Sequence, residues 1–473
     1  MSKLPLVDGI IEYIYEKNTS FCMPGHKGGL GFISTTEGKK IYNNIFKSDI
    51  TEVDGVDNLH HPEGIIKESQ ELLSNFYGSK KSYFLVNGST SGNLIMIFSA
   101  FNEGDKVIVE RNCHRSIMNG IIMRKLEPVY LRNTISEELN APLSVDLEHF
   151  LCLINSHENI KGIILTYPNY FGICTDIKFV IEEAKKKNIK VLIDSAHGAH
   201  FGVNAGLPEN ATRVGADMVV MSAHKTLPSF TQTAYLHIMN EKDIKKADFY
   251  FSAFSSTSPS YMLMSSMDYS RYYLEVYGEK SYEELLNRCI KYRDLIDSLG
   301  YVSILKKNSE IYDLDMTRFI LHLNKGLSGH RLYKYLKEYA IQPEMSDESN
   351  VVLIFSPFNE EKDFIKLYEA LKICSIDTLR THGENVSWGS NIMELPEIIL
   401  LPHEVLELDK EQISLLEGEG RVCGEAIVPY PPGVPLVMPG EIIDRRTINL
   451  IKYFIDNDLT MLGIEDKRIT VIL

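Results

Sequence analysis

Between residues 83 and 238, short apolar runs alternate with stretches of helical spacing. The runs lie at 83–86, 107–109, 162–166, 191–193 and 219–221, and 126–130 reads as a further strand. Each run is short for a helix and too continuously apolar for a strand with one wet face, so each reads as a strand buried on both sides. Helical patterns fill the intervals, as at 65–76, from 94 onward and at 179–187. This alternation predicts an α/β fold: a mainly parallel sheet with helices on both faces. Open sheets of this kind bind ligands beyond the carboxyl ends of their strands, so the residues after each run matter most.

Four of those exits carry chemistry. After 83–86 come Asn87-Gly88-Ser89-Thr90-Ser91-Gly92-Asn93, then a buried helix. Backbone N–H groups and hydroxyls at a helix N-terminus suit a phosphate, although simple Ser/Thr capping gives the same pattern. It is not a Walker loop, since no Gly-Lys-Ser/Thr occurs. After 107–109 comes His114, a flat ring that on its own is more often structural. After 191–193 comes Asp194, which could serve only as a helix cap. After 219–221 come Ser222, His224 and Lys225. A lysine at the exit of a buried strand, if desolvated, loses its proton more easily and becomes a nucleophile; the plain alternative is a snorkelling side chain.

The remaining chain sets the boundaries. Residues 1 to about 20 predict one amphipathic helix, without the apolar centre of a leader peptide. Residues 21–29 form a Pro/Gly loop. The polar segment 49–64 holds Asp54, Asp57, His60 and His61, whose spacing fits no standard metal pattern, so no metal is expected. Residues 262–299 read as mostly helical, 301–379 as a small α/β unit and 380–473 as a C-terminal region. The expected division is thus 1–64 (N-terminal helix and site loops), 65–300 (large, cofactor-binding), 301–379 (small) and 380–473 (C-terminal). A net charge of -15 argues against nucleic acid as the main partner. No apolar run is long enough to cross a bilayer. Seven cysteines, scattered and without a C-x-x-C pair, fit a reducing cytoplasm.

A phosphate cup, a flat ring, a carboxylate and an amine at one sheet edge match a single cofactor, pyridoxal 5'-phosphate. In this order the chain resembles the fold-type I, pyridoxal-phosphate-dependent ornithine/lysine/arginine decarboxylases, in the shorter form without an N-terminal wing domain. The resemblance is carried by MPGHKGG at 23–29, TEVDGVDNLHHPEG at 51–64, NGSTSGN at 87–93, DSAHGAH at 194–200, SAHKTLPSFTQ at 222–232 and YPPGVPLVMPGE at 430–441. It implies an aspartate-aminotransferase-like fold with a seven-stranded large-domain sheet. It implies that Lys225 forms the aldimine with the cofactor, that His224 carries protons beside it, and that Ser89, Thr90 and Ser222 bind the phosphate. His114 would stack on the pyridine ring and Asp194 would pair with its nitrogen. His197 stands where relatives carry a packing residue near the cofactor. Thr257 would reach the phosphate of a neighbouring subunit, which implies at least a homodimer with shared sites.

The implied reaction is decarboxylation of a basic amino acid, with arginine giving agmatine as first choice and lysine or ornithine as alternatives. Glu425 and Glu441, near the proline run, are the expected contacts for the substrate's distal cation. An aminotransferase or lyase on the same fold, and a non-catalytic cofactor-binding regulator, are the competing readings. A nicotinamide dehydrogenase is disfavoured, because no G-x-G-x-x-G occurs.

Overall fold

Seven strands build the central sheet of the computed structural model, which describes residues 3–136, 138–139, 141–381, 394–429, 435–456 and 460–473. In chain order they are β1 (Lys81–Leu85), β2 (Lys106–Glu110), β3 (Glu127–Leu131), β4 (Ile160–Thr166), β5 (Lys190–Asp194), β6 (Met218–Met221) and β7 (Ala234–Ile238). Across the sheet the order is β1-β7-β6-β5-β4-β2-β3. Strands β2 to β6 pair in parallel, while β7 runs antiparallel to both β6 and β1. Every residue of β6 and β7 is buried, and β6 accordingly reads as a continuous apolar run.

Helix Gly88–Ala100 follows β1 and packs tightly on the sheet. A Cβ on Gly92 would lie 2.6 Å from Leu85 and 2.9 Å from Val220, so only glycine allows this approach. Helix Arg115–Arg124 follows β2, and helix Ile177–Lys186 precedes β5. Because β1 points the same way as β2 to β6, their carboxyl ends share one edge. There the chain segments after residues 85, 110, 166, 194 and 221 meet, as the topology of such sheets requires.

A second, antiparallel sheet is made of β8 (Val302–Ile304), β9 (Arg318–Leu323), β10 (Met345–Ser346) and β11 (Asn350–Ile354), in the order β8-β9-β11-β10. Helices Gly329–Glu338 and Glu361–Ile373 complete this unit. The N-terminal helix is shorter than its pattern suggests. It spans Pro5–Tyr15 with no buried residue, Lys17 turns at φ 51, and Thr19–Phe21 pairs in parallel with Ile341–Pro343. The backbone therefore leaves the helix to satisfy its hydrogen bonds on the small unit.

At the C-terminus, β12 (Lys410–Ser414), β13 (Ile464–Glu465) and β14 (Arg468–Ile472) form a sheet in the order β12-β14-β13. With helix Arg445–Asp456 it has its own core, including Ile427, Val437, Ile451 and Phe454. A buried ion pair fastens it to the large sheet: Arg111 Nη1 and Nη2 donate to Glu441 Oε1 and Oε2 at 2.5 and 2.7 Å. Of the proline run at 430–441, residues 430–434 lie outside the described residues.

Candidate active site

Helix Gly88–Ala100 begins at Asn87, whose side chain makes no capping hydrogen bond. Ser89 is half-buried and Thr90 exposed on this first turn, while Ser91 Oγ turns back to the Gly88 carbonyl at 2.8 Å. The turn thus offers uncapped N–H groups and two free-facing hydroxyl residues, the local chemistry of an anion site. Ser222, at the exit of β6, is fully buried, and its Oγ has no partner within the protein. A buried hydroxyl left unpaired is disfavoured unless a ligand completes it.

Asp194 ends β5 and is 2% exposed. Its Oδ2 accepts from Asn93 Nδ2 at 2.8 Å and its Oδ1 from the Ala196 N–H at 3.0 Å. The second Asn93 amide hydrogen goes to Ser116 Oγ at 2.8 Å. Ser116 Oγ therefore has its own proton left to donate, and it gives it to His114 Nδ1 at 2.7 Å. His114 Nδ1 also accepts the Ser116 N–H at 3.2 Å. With Nδ1 an acceptor, the neutral His114 ring carries its proton on Nε2. One chain of hydrogen bonds thus fixes both the carboxylate and the ring.

Lys225 lies in the turn of helix Ala223–Thr226 that follows β6. Its Nζ is 3.0 Å from His197 Nε2. His197 is buried, and its Nδ1 accepts from Arg318 Nη1 and Nη2 at 3.2 and 3.1 Å. A guanidinium has no acceptor, so Nδ1 bears the lone pair and Nε2 the proton. His197 Nε2–H then donates to Nζ, and the amine able to accept it is the uncharged, nucleophilic form. Burial first, and Arg318 in addition, push the Lys225 amine down to about 8, with Asp194 opposing. Burial, then Lys225 and Arg318, hold His197 well below its ordinary value, so the ring stays neutral.

His224 Nδ1 donates to the Thr233 carbonyl at 2.9 Å, leaving Nε2 as a base beside Lys225. The loop at 23–29 closes on this turn. Gly25 N–H donates to the His224 carbonyl at 2.7 Å, and a Cβ on Gly25 would meet Thr226 and Leu227 backbone at 2.5 and 2.7 Å.

The structure brings Asp194, His114, His197, His224 and Lys225 to one edge, with Ser89, Thr90 and Ser222 on the adjoining exits. It does not join Thr257, Glu425 or Glu441 to them within one chain. Thr257 is exposed on the loop after helix Glu241–Phe254. Glu425 is exposed, and its Oε2 accepts from Thr470 Oγ1 at 3.4 Å. Glu441 is 0% exposed, and besides Arg111 it accepts the Met438 N–H at 2.7 Å. Both its oxygens are occupied, so in this structure it is the counter-ion of Arg111 and not an open contact for a substrate cation. Asp57, considered above beside the histidines, organises its own turn, accepting from the N–H groups of Asn58, Glu63, Gly64 and Ile66.

Residue patterns did not single out Asn93, Ser116, Tyr170, Arg318 or Glu344. Tyr170 packs edge-on to His197 at 5.0 Å, and its hydroxyl donates to Glu344 Oε1 at 2.5 Å. Arg318 and Glu344 come from the small unit, far away in sequence, and only the tertiary fold brings them here. Asn93 was legible as part of the NGSTSGN segment, but not as the clamp on Asp194.

A family model described as "Orn/Lys/Arg decarboxylase, major domain" matches residues 4–320, and one described as "Orn/Lys/Arg decarboxylase, C-terminal domain" matches residues 392–459. The chain belongs to the Orn/Lys/Arg decarboxylase family. This decarboxylase is 32% identical over 479 residues to the arginine decarboxylase of Bacillus subtilis, covering 99% of this chain and 97% of that protein. Its fold matches the constitutive lysine decarboxylase of Escherichia coli with a TM-score of 0.78 at 20% identity, covering 100% of this chain and 82% of that one. It also matches a serine palmitoyltransferase solved with its pyridoxal-phosphate internal aldimine, with a TM-score of 0.58 at 15% identity over 75% of this chain and 86% of that one. The fold is therefore fold type I, and the cofactor of this decarboxylase is pyridoxal 5'-phosphate. The residues present fit that group: an orphaned buried hydroxyl, an uncapped helix end, a clamped carboxylate and a desolvated amine.

Proposed function

We propose that this enzyme converts arginine to agmatine and carbon dioxide, with Lys225 as the residue that binds the cofactor's aldehyde carbon. When bound, the cofactor supplies the electron sink into which the electrons of the carbon–carboxylate bond pass. The rest belongs to the chain. Ser89, Thr90, Ser222 and the first turn of Gly88–Ala100 hold the phosphate. Asp194, held in place by the donors Asn93 Nδ2 and the Ala196 N–H, would pair with the ring nitrogen. His114, held in one orientation by Ser116, would lie against the ring. His197 orients the Lys225 amine, and His224, a base at Nε2, moves the proton that replaces the carboxylate.

The observation that carries this reading is the contact between Lys225 Nζ and the neutral His197, on the edge where the buried Asp194 also ends. Arginine is favoured by the near full-length similarity to the Bacillus subtilis arginine decarboxylase. Thr257 is exposed and apart from Lys225 in its own chain, which supports a homodimer in which Thr257 of one copy serves the phosphate of the other. All seven cysteines are free, which supports a cytoplasmic location. Among the described residues, no helix is long and apolar enough to cross a membrane.

The test is a panel of arginine, lysine and ornithine with the cofactor-loaded protein, reading carbon dioxide and the amine products. Agmatine from arginine at the highest kcat/KM is expected. A dominant yield of cadaverine or putrescine would move the assignment to lysine or ornithine. A keto acid without carbon dioxide would replace decarboxylation by transamination.

A further inference from the structure

Glu344 is the carboxylate that Tyr170 and the loop at 23–29 hold beside the Lys225 turn, and with Asp194 it opposes the lowering of the Lys225 amine. Glu344 lies between Ile341–Pro343 and β10 in the small unit and is half-buried. Two donors hold it still: Tyr170 Oη to Oε1 at 2.5 Å, and the Met23 N–H to Oε2 at 3.0 Å. Both donors belong to the site. The Tyr170 ring stands against His197, which touches Lys225. Met23 begins the loop whose Gly25 bonds to the His224 carbonyl. Glu344 is thus tied to the lysine by packed groups on two sides.

A carboxylate oxygen offers about two acceptor positions. Each Glu344 oxygen uses one on the donors above, so each keeps one free. Two such positions side by side match the parallel N–H groups of a guanidinium. Glu441 differs in being wholly buried and paired with the Arg111 guanidinium.

We propose that Glu344 receives the distal cation of the substrate and sets the preference for basic amino acids, with Tyr170 as the residue that positions it. The assignment rests on the decarboxylase reading above. It adds the residue that a guanidinium or ammonium group would find when the α-amine is at Lys225.

The test compares wild-type enzyme with Glu344→Gln, which keeps the shape and an acceptor for Met23, and with Tyr170→Phe. Arginine and citrulline, its uncharged isostere, are the substrates, and agmatine binding to the cofactor-loaded enzyme is measured by calorimetry. For E344Q, the KM for arginine and the Kd for agmatine should rise about ten- to hundredfold, the size of one charge-assisted hydrogen bond. The preference for arginine over citrulline should narrow by the same factor, while the absorbance of bound cofactor stays as in wild type. Y170F should give a smaller shift in the same direction. Unchanged arginine KM and agmatine Kd in E344Q would overturn the proposal. A kcat loss with KM, Kd and preference unchanged would also overturn it, because it would make Glu344 a structural support only. If E344Q does not fold, Y170F decides: unchanged discrimination refutes the assignment. A wild-type enzyme inert toward every basic amino acid would instead refute the underlying decarboxylase reading.

Discussion

Arg318→Met tests whether the small unit sets the reactivity of Lys225. Arg318 is 1% exposed, and its guanidinium nitrogens lie 3.1 and 3.2 Å from His197 Nδ1. His197 Nε2 is in turn 3.0 Å from Lys225 Nζ. Across the imidazole, the two cations are separated by roughly 8 Å, and at an effective dielectric near 20 their repulsion is about 2 kcal/mol. Removing it should raise the Lys225 titration by about 1.5 pH units from its wild-type position. That position is about 8. At neutral pH the uncharged fraction then falls roughly thirtyfold. The assay is the pH dependence of trinitrophenylation of Lys225 in cofactor-free protein, quantified by peptide mass spectrometry. Arg318→Lys, which keeps a charge, should shift the profile less. A profile for Arg318→Met that coincides with wild type, in a folded protein, would refute the linkage from Arg318 through His197 to the amine.

Further outcomes follow from the same geometry. Lys225→Met should raise the thermal midpoint of cofactor-free protein while abolishing turnover. The Lys225 titration is depressed in the fold from 10.5 to about 8, so the folded state binds fewer protons, and this destabilisation is fully present below about 8. It fades as pH rises toward 10.5, and the advantage of the variant should narrow accordingly in a pH series of melting scans. Glu441→Gln leaves Arg111 buried without its counter-ion and should cost about 3–5 kcal/mol in urea unfolding; Arg111→Met in the same chain should recover part of that loss. Asn93→Ala removes one of the two donors on Asp194 and should lower kcat by about ten- to hundredfold, the size of a hydrogen bond to a charged group. Steady-state kinetics with saturating cofactor checks it.

The sheet was legible because strands buried on both faces must be continuously apolar, and β4, β5 and β6 stand in the sequence as such runs. Its strand order was not legible from those runs, because β7 inserts antiparallel between β1 and β6, and nothing in Ala234–Ile238 states its neighbours. Lys225, Asp194 and His114 could be read as a set because each lies at the carboxyl end of a strand or in the turn just after it, so topology alone gathers them. Arg318, Tyr170 and Glu344 could not. Arg318 begins β9 of another sheet, and its role exists only through contact with His197. Glu441 misled for a related reason: proximity to the proline run suggested an open site, whereas the fold turned the side chain inward onto Arg111. The first helix was drawn too long because its apolar positions end at Tyr15 and residues 16–20 carry none, while Thr19–Phe21 pairs instead with Ile341–Pro343.

A buried lysine elsewhere in the chain makes the central claim easy to test. Lys27 is 5% exposed, and burial lowers its amine to about 8 as well. Yet Lys27 Nζ is committed to the carbonyls of Cys22 and Ile354 at 2.6 and 2.9 Å, where it serves only as a donor. Lys225 instead meets a neutral imidazole N–H. Borohydride reduction of the cofactor-loaded enzyme, followed by peptide mapping, should place the reduced pyridoxyl group on Lys225 and leave Lys27 unmodified. A pyridoxyl group on Lys27 or any other lysine, with Lys225 clean, would contradict the account.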